Sequence, residues 1–165
     1  MPKVELKLWS IGVLMLVALI VLGAVVMGDS AFSLPDHQSA GTAARVDEIQ
    51  TAWKAEGYLG LHTIGMVGDL VFIVVYSVGA WRAGTSLRAY GGGFLSILGL
   101  FTMAMAVLFF VTDITETTLQ LVQMLTAKGV DWMAGVAAFA QPIKMAAFVA
   151  SFFAVLMGWL VARFT

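Results

Sequence analysis

The stretch 109-FFVTDITETTLQLVQ-123 decides the fold, because it begins as an apolar, membrane-type run and then places two carboxylates inside that run. On a helix, Asp113, Glu116, Gln120 and Gln123 are separated by three, four and three residues, so they form one stripe along a single face. A charged side chain that faces hydrocarbon alone costs about 2.5 to 3.5 kcal/mol. The stripe therefore predicts a helix that packs against other helices, with its polar face turned inward.

The composition of the whole chain is typical of a membrane protein. Charged residues make up only 12% of the 165 residues, about half the share found in ordinary soluble domains. Apolar runs cover residues 8–28, 58–82, 93–126 and 135–164, and each is long enough to cross about 30 Å of hydrocarbon. We therefore predict one integral membrane domain over residues 1–165, an all-α, polytopic four-helix membrane bundle. The first run is longer than the apolar part of a signal peptide and predicts a retained helix.

The charged residues predict the orientation and exclude several classes of function. Basic residues on one side of the spans outnumber those on the other, and they are Lys3, Lys7, Arg82, Arg88 and Arg163. The positive-inside rule then predicts a multi-pass protein of the bacterial inner membrane with both termini in the cytoplasm. A formal net charge of −1 gives no basis for nucleic-acid binding. Because the chain has no cysteine, disulfides and thiolate chemistry are excluded.

The loop between the first two spans contains a predicted short amphipathic helix over residues 42–56. Thr42 is a suitable N-cap, Gly57 is a stop signal, and apolar residues recur between them at helical spacing. The favoured role is an interfacial anchor, in which Trp53 lies among lipid headgroups. The alternative role is a lid, in which Ile49 and Trp53 cover a site.

Polar side chains on the second and fourth spans fall at the depth of the two carboxylates. Each span carries three of them on one face, and a rise of 1.5 Å per residue places the ionisable groups in the outer half of the membrane. We therefore predict one intramembrane polar pocket that faces the outer leaflet. Its nine residues are His62, Asp69, Tyr76, Asp113, Glu116, Gln120, Gln141, Lys144 and Ser151.

The charges of this pocket predict what it holds. Three acids, one lysine and a histidine leave surplus negative charge, so a proton, a cation or a cationic ligand group is expected to balance it. The alternative is a structural ion pair of Lys144 with Asp69 or Asp113, which fixes the three helices in register. A metal-binding version uses His62, Asp69 and Glu116 as nitrogen and oxygen ligands. The sequence identifies no cofactor.

Small residues on the second and fourth spans predict close helix contacts. A row at four-residue spacing on the fourth span is expected to contact the first helix, a second copy of the chain or a larger membrane complex. Its members are Ala146, Ala150, Ala154 and Gly158. Gly65 and Gly68 are expected to allow similar close approach on the second span.

Four motifs carry a resemblance to a known group of proteins. They are AGTAARVDEIQTAWKAEG (residues 40–57), DLVFIVVY (69–76), DITE (113–116) and PIKM (142–145). Together they resemble small bacterial four-span membrane proteins, a group for which no activity is established. The group tends to have asparagine after the glutamate, where this chain has Thr117. The resemblance implies that Trp53, Asp69, Tyr76, Asp113, Glu116 and Lys144 act together.

Three functions are compatible with these patterns. The first is a binding or accessory protein whose pocket holds a lipid headgroup, a small ligand or a partner subunit. The second is proton or cation translocation through the carboxylates and His62, with Lys144 as counter-charge. The third is an intramembrane enzyme acting on a lipid or isoprenoid, with Asp113 or Glu116 as general acid or base. No nucleophile, zinc-protease or phosphate-loop motif supports the enzyme.

Overall fold

The computed structural model describes residues 3–91 and 93–164. Within these ranges the chain is all-α, with six helices and no strand. They are α1 (Lys7–Met27), α2 (Leu34–Gln38), α3 (Ala43–Glu56), α4 (Leu59–Arg88), α5 (Gly93–Thr126) and α6 (Asp131–Ala162). By length and composition, α1, α4, α5 and α6 are able to cross a membrane. The prediction of an all-α fold with four long apolar helices and a short loop helix is confirmed.

Two helix boundaries and one helix differ from the prediction. Helix α4 continues to Arg88, beyond the predicted end at residue 82, and α6 begins at Asp131 rather than residue 135. The chain leaves α4 in a turn where Gly91 has φ +76°, a left-handed value that favours glycine. Gly92 lies outside the described residues. The unpredicted α2 is capped by Ser33, whose side chain forms a reciprocal capping box with Asp36.

The chain divides into two compact units. Unit 1 comprises Met1–Met15, Phe72–Val111 and Ile143–Thr165, and unit 2 comprises Leu16–Val71 and Thr112–Pro142. Unit 1 contains six Lys or Arg residues and one acid, whereas unit 2 contains three Lys or Arg residues and nine acids. The nearly neutral net charge of the chain therefore consists of +5 on one unit and −6 on the other.

The core of unit 1 is a cluster of aromatic rings from three helices. Tyr76 of α4 lies with its ring centroid 5.2 Å from that of Phe109 in α5 and 4.8 Å from that of Phe148 in α6. The Tyr76 hydroxyl and the Ser151 hydroxyl are hydrogen-bonded at 3.0 Å. Helix α1 joins this core through Trp9, which packs on Phe152 at 5.3 Å. The rings hold the four helix segments together by dispersion and burial.

Glycines set the closest helix contacts of unit 1. Gly79 faces the backbone of Trp9, and Gly84 faces the backbone of Gly99, so neither position has room for a side chain. Gly158, from the predicted small-residue row, packs on Leu87 of α4. Ala146 of the same row is exposed. Contact of this row with a second copy of the chain or a larger membrane complex stays a prediction.

In unit 2 the two glycines predicted to promote close packing differ from each other. A methyl group on Gly68 would lie 3.2 Å from Leu19 Cδ2 of α1, which is a tight contact. A methyl group on Gly65 would have nothing within 4 Å, so the expectation of close approach is wrong there. Spacing alone does not distinguish the two, because residues three apart share a helix face; what packs opposite each position decides.

We expect Gly84→Ala to lower the free energy of unfolding by about 1–3 kcal/mol, the usual cost of overpacking. The new Cβ would lie 2.7 Å from the Gly99 carbonyl oxygen, a backbone atom that cannot turn away. Gly65→Ala in the same helix is the matched control, and alanine there is expected to leave stability unchanged or raise it by up to about 1 kcal/mol. Unfolding in detergent micelles measures both variants. Equal effects would contradict the close α4–α5 contact.

Candidate functional site

The polar interior of unit 2 is built by α4 and α5. Asp113, Glu116, Gln120 and Gln123 are all buried, as the stripe on α5 predicts. Asp69 of α4 is half-buried and belongs to the same interior. Helical periodicity explains why the four α5 residues are buried together, since they recur on one face and that face is enclosed by protein.

Thr117 connects the two helices. Its hydroxyl oxygen lies 3.1 Å from Oδ2 of Asp69 and 3.4 Å from Oδ1 of Asp113, and the hydroxyl donates to these carboxylates. A threonine in a helix can bond back to its own helix. Thr117, which is completely buried, also bonds to Asp69 on the neighbouring helix.

The two glutamines of the stripe have different roles. Gln120 Nε2 donates to Glu116 Oε1 at 3.4 Å, which keeps both side chains in the polar interior. Gln123 instead donates to the Leu119 carbonyl at 3.2 Å and accepts from the backbone N–H of Val130 at 2.9 Å. Gln123 therefore holds the connection between α5 and α6 and is a structural residue.

Helix α3 covers one end of this interior. Its Trp53 ring stacks on His62 of α4, with centroids 3.8 Å apart, and Trp53 Nε1 donates to the Phe32 carbonyl at 2.8 Å. Trp53 and Ile49 are completely buried and pack with Met66 and Met124. The favoured expectation that Trp53 anchors α3 among lipid headgroups is therefore wrong, because its ring has no exposed surface.

Backbone hydrogen bonds fix α3 in this place. Asp131 of α6 accepts from the N–H of Ala43 at 2.8 Å, and Asp47 of α3 accepts from the N–H of Gly129 at 2.5 Å. At the other end of α3, Glu56 accepts from Ser30 and Ala31. Carboxylates that accept backbone N–H groups form strong, charge-assisted bonds. The covering helix is thus attached at both ends as well as through its apolar face.

Two histidines lie on either side of Trp53. The His37 ring is 5.1 Å from the Trp53 ring, and its Nε2 is hydrogen-bonded to Gln50 Nε2 at 3.2 Å. Burial lowers the pKa of His37 to about 4, and the neighbouring His62 lowers it further in second place. Hydrogen bonds from the Ser33 hydroxyl and then the Ser33 backbone lower the pKa of Asp36. At neutral pH this corner therefore holds a neutral imidazole beside an ionised carboxylate.

Several buried polar atoms of unit 2 have no hydrogen-bond partner among residues 3–91 and 93–164. Both ring nitrogens of His62 belong to this group, although the side chain is only 3% exposed. The other members are His37 Nδ1, Gln50 Oε1 and Gln120 Oε1. A buried polar group that lacks a partner costs about 1–3 kcal/mol. A bound polar group that reached these atoms would recover part of that cost.

The nine predicted pocket residues fall into both units. Unit 2 contains His62, Asp69, Asp113, Glu116, Gln120 and Gln141, whereas Tyr76, Lys144 and Ser151 belong to unit 1. Tyr76 and Ser151 bond to each other within the aromatic core, and Lys144 is buried in unit 1. Convergence of all nine on one pocket stays a prediction.

The structure also identifies polar residues that the sequence reasoning missed. His37, Gln50 and Thr117 all take part in the unit 2 interior. Gln50 was detectable in principle, because it lies four residues after Val46 and three before Trp53, on the buried face of α3. Among residues 3–91 and 93–164, no three His, Asp or Glu side chains are grouped so that they could hold a metal ion. Among these residues, His62, Asp69 and Glu116 therefore do not form such a group.

No model of a known protein family, no curated protein and no solved structure matches the chain. The function is therefore argued from the residues of unit 2 and their chemistry. Their common property is a surplus of hydrogen-bond acceptors, since carboxylate and amide oxygens dominate the interior.

Proposed function

We propose that the protein is an integral membrane binding protein whose unit 2 interior receives a small hydrogen-bond-donating group. The amine of a lipid headgroup or of a free amine fits this description. The observation that carries the proposal is His62, a buried imidazole stacked on Trp53 whose ring nitrogens have no hydrogen-bond partner in the part of the chain that the structure describes. Natural interiors rarely leave such a group unsatisfied unless it serves a ligand or an ordered water.

The chemistry of the interior selects the class of ligand. Ionised carboxylates only accept hydrogen bonds, and the amide oxygens of Gln50 and Gln120 are further acceptors without a donor among the described residues. An ammonium group supplies up to three donors and a positive charge, which complements both properties. A ligand group without N–H or O–H donors leaves these acceptors unsatisfied.

Helix α3 is the lid of this proposed site. Ile49 and Trp53 cover the interior, so a ligand enters when α3 moves or when the loop that precedes it opens. The sequence supports an outward-facing entrance. If the basic residues Lys3, Lys7, Arg82, Arg88 and Arg163 lie in the cytoplasm, both termini are cytoplasmic and the loop carrying α3 is outside. We place the protein in the bacterial inner membrane on this basis.

Binding is favoured over translocation because of the interior of unit 1. A proton or cation path needs a chain of polar groups or water, whereas Phe72, Phe109 and Phe148 pack around Tyr76. The Tyr76 hydroxyl is bonded to Ser151 within these rings. An aromatic core of this kind excludes water. No specific observation favours the enzyme.

The test compares two lipids that differ in hydrogen-bond donors but not in net charge. The protein is reconstituted in nanodiscs of phosphatidylcholine with added phosphatidylethanolamine, whose ammonium has N–H donors that the quaternary choline lacks. We expect at least a roughly tenfold preference for the ethanolamine lipid, since a charged hydrogen bond contributes about 1.5–3 kcal/mol. Binding of soluble ethanolamine in a parallel titration would identify a free amine as the ligand.

Glu116→Gln is expected to reduce this preference to less than about twofold, because it removes a buried charge that an ammonium would meet. Asp29→Asn, an exposed carboxylate of the same unit, is the matched control and is expected to change nothing. The proposal would be contradicted if the native protein bound both lipids with equal affinity and also bound no soluble ethanolamine. The same holds if Glu116→Gln folds normally and binds like the native chain.

A further inference from the structure

A second pocket lies in unit 1, apart from the proposed amine site. Its cavity volume is about 360 Å³. It is lined by Lys3, Val4, Tyr90, Trp159, Ala162 and Arg163, so it lies between the segment before α1, the end of α4 and the end of α6. Two of the six lining residues are basic and none is acidic.

The contact of Arg163 with Trp159 orients its guanidinium group so that it can bind an anion in this pocket. Its guanidinium carbon lies 4.2 Å from the centroid of the Trp159 ring, a cation–π contact that orients the planar group. A guanidinium held by its face presents its N–H groups at the edge, where they match the oxygens of a phosphate. Lys3 supplies a second positive charge at the same pocket.

Few negative groups oppose an anion here. Glu5 is the one acid of unit 1, and its Oε1 accepts a hydrogen bond from Arg82 at 3.0 Å. The carbonyls at the end of α6 carry a partial negative charge of about half an elementary charge. The two full positive charges of Lys3 and Arg163 outweigh it. Unit 1 as a whole carries +5, so its field also attracts anions.

We propose that this pocket binds the phosphate of an anionic phospholipid. The surroundings favour a lipid over a soluble phosphate, because Leu160 and Phe164 beside the pocket are exposed apolar residues on the same helix end. Acyl chains can lie against them while the phosphate meets the two basic side chains. Tyr90 and Trp159 are aromatic residues of the type found at the headgroup level of membranes. Basic pockets between transmembrane helices are known to hold acidic headgroups.

This inference does not depend on the proposed amine site, since it concerns other residues and a ligand of opposite charge. The experiment is native mass spectrometry of the full chain in detergent, titrated with phosphatidylglycerol, phosphatidylcholine or inorganic phosphate. We expect one phosphatidylglycerol to be retained with roughly 30-fold preference over phosphatidylcholine, since each basic residue contributes about fivefold. Inorganic phosphate is expected not to displace it.

Variants separate a specific site from general attraction. Arg163→Gln and Lys3→Gln are each expected to lower the affinity for phosphatidylglycerol roughly fivefold. Lys7→Gln removes the same charge from an exposed position that does not line the pocket, and it is expected to have less than a twofold effect. Arg163→Lys keeps the positive charge and is expected to retain most of the affinity for phosphatidylglycerol.

Two results would overturn the proposal. An equal loss in Lys7→Gln and Arg163→Gln would show attraction by net charge alone, and displacement of the lipid by inorganic phosphate would assign the pocket to a soluble anion. Both basic positions are exposed, so their substitutions are expected to leave folding intact.

Discussion

Replacing Trp53 with alanine is expected to lower the free energy of unfolding by about 3–5 kcal/mol, the usual cost of truncating a buried tryptophan. The ring is completely buried, stacks on His62 and donates a hydrogen bond to the Phe32 carbonyl. Its removal leaves a cavity between α3 and α4 and an unpaired carbonyl. Chemical unfolding in detergent micelles, followed by near-ultraviolet circular dichroism, measures the change.

Trp132→Ala is the matched control for this experiment. Trp132 also belongs to unit 2, but its side chain is 60% exposed, so truncation is expected to change stability by no more than about 0.5 kcal/mol. Similar losses in the two variants would mean that α3 does not pack as described. The lid of the proposed binding site would then be lost as well.

Acidification from pH 6.5 to pH 4 is expected to remove about 3 kcal/mol of stability through His37. Burial lowers the pKa of His37 from 6.5 in the unfolded chain to about 4 in the folded protein. In this window the unfolded chain binds a proton that the folded protein does not. The stabilising contribution is therefore complete above pH 6.5 and is lost as the pH falls towards 4.

His37→Gln tests this pH dependence. Glutamine keeps a hydrogen-bonding group beside Gln50 but does not titrate, so the slope of stability against pH between 6.5 and 4 is expected to flatten. His62, which also packs on Trp53, is unchanged in this variant. Asp36 does not interfere, because its lowered pKa places its titration below its ordinary value of 3.8. An unchanged slope in His37→Gln would contradict the burial of this imidazole.

The proposed functions assign different chemistry to the two units. Unit 2 is acidic and rich in hydrogen-bond acceptors, which suits a donor such as an amine, whereas the unit 1 pocket is basic and suits a phosphate. A lipid that carries both groups would not satisfy both sites equally. The two lipid titrations therefore report on separate sites, and either proposal can fail without the other.

The sequence alone determined the four long helices, the loop helix and the stripe on α5. These follow from hydrophobic run length and from the helical period, which fixes which residues share a face. The end of α4 was less predictable, because Gly84 and the glycines that follow it carry the same local signal. Only tertiary contact shows that Gly84 meets α5 while Gly91 ends the helix.

The tertiary structure decided which neighbours those faces meet. It buried Trp53 under protein instead of placing it among headgroups, joined Thr117 to Asp69, and gave Gln123 a structural role at the α5–α6 connection. The physical reason is that lipid and protein interior are similarly apolar, so composition cannot tell a lipid-facing ring from a buried one. A period of 3.6 residues fixes a face, whereas the path of the loops and the packing of side chains fix what lies opposite.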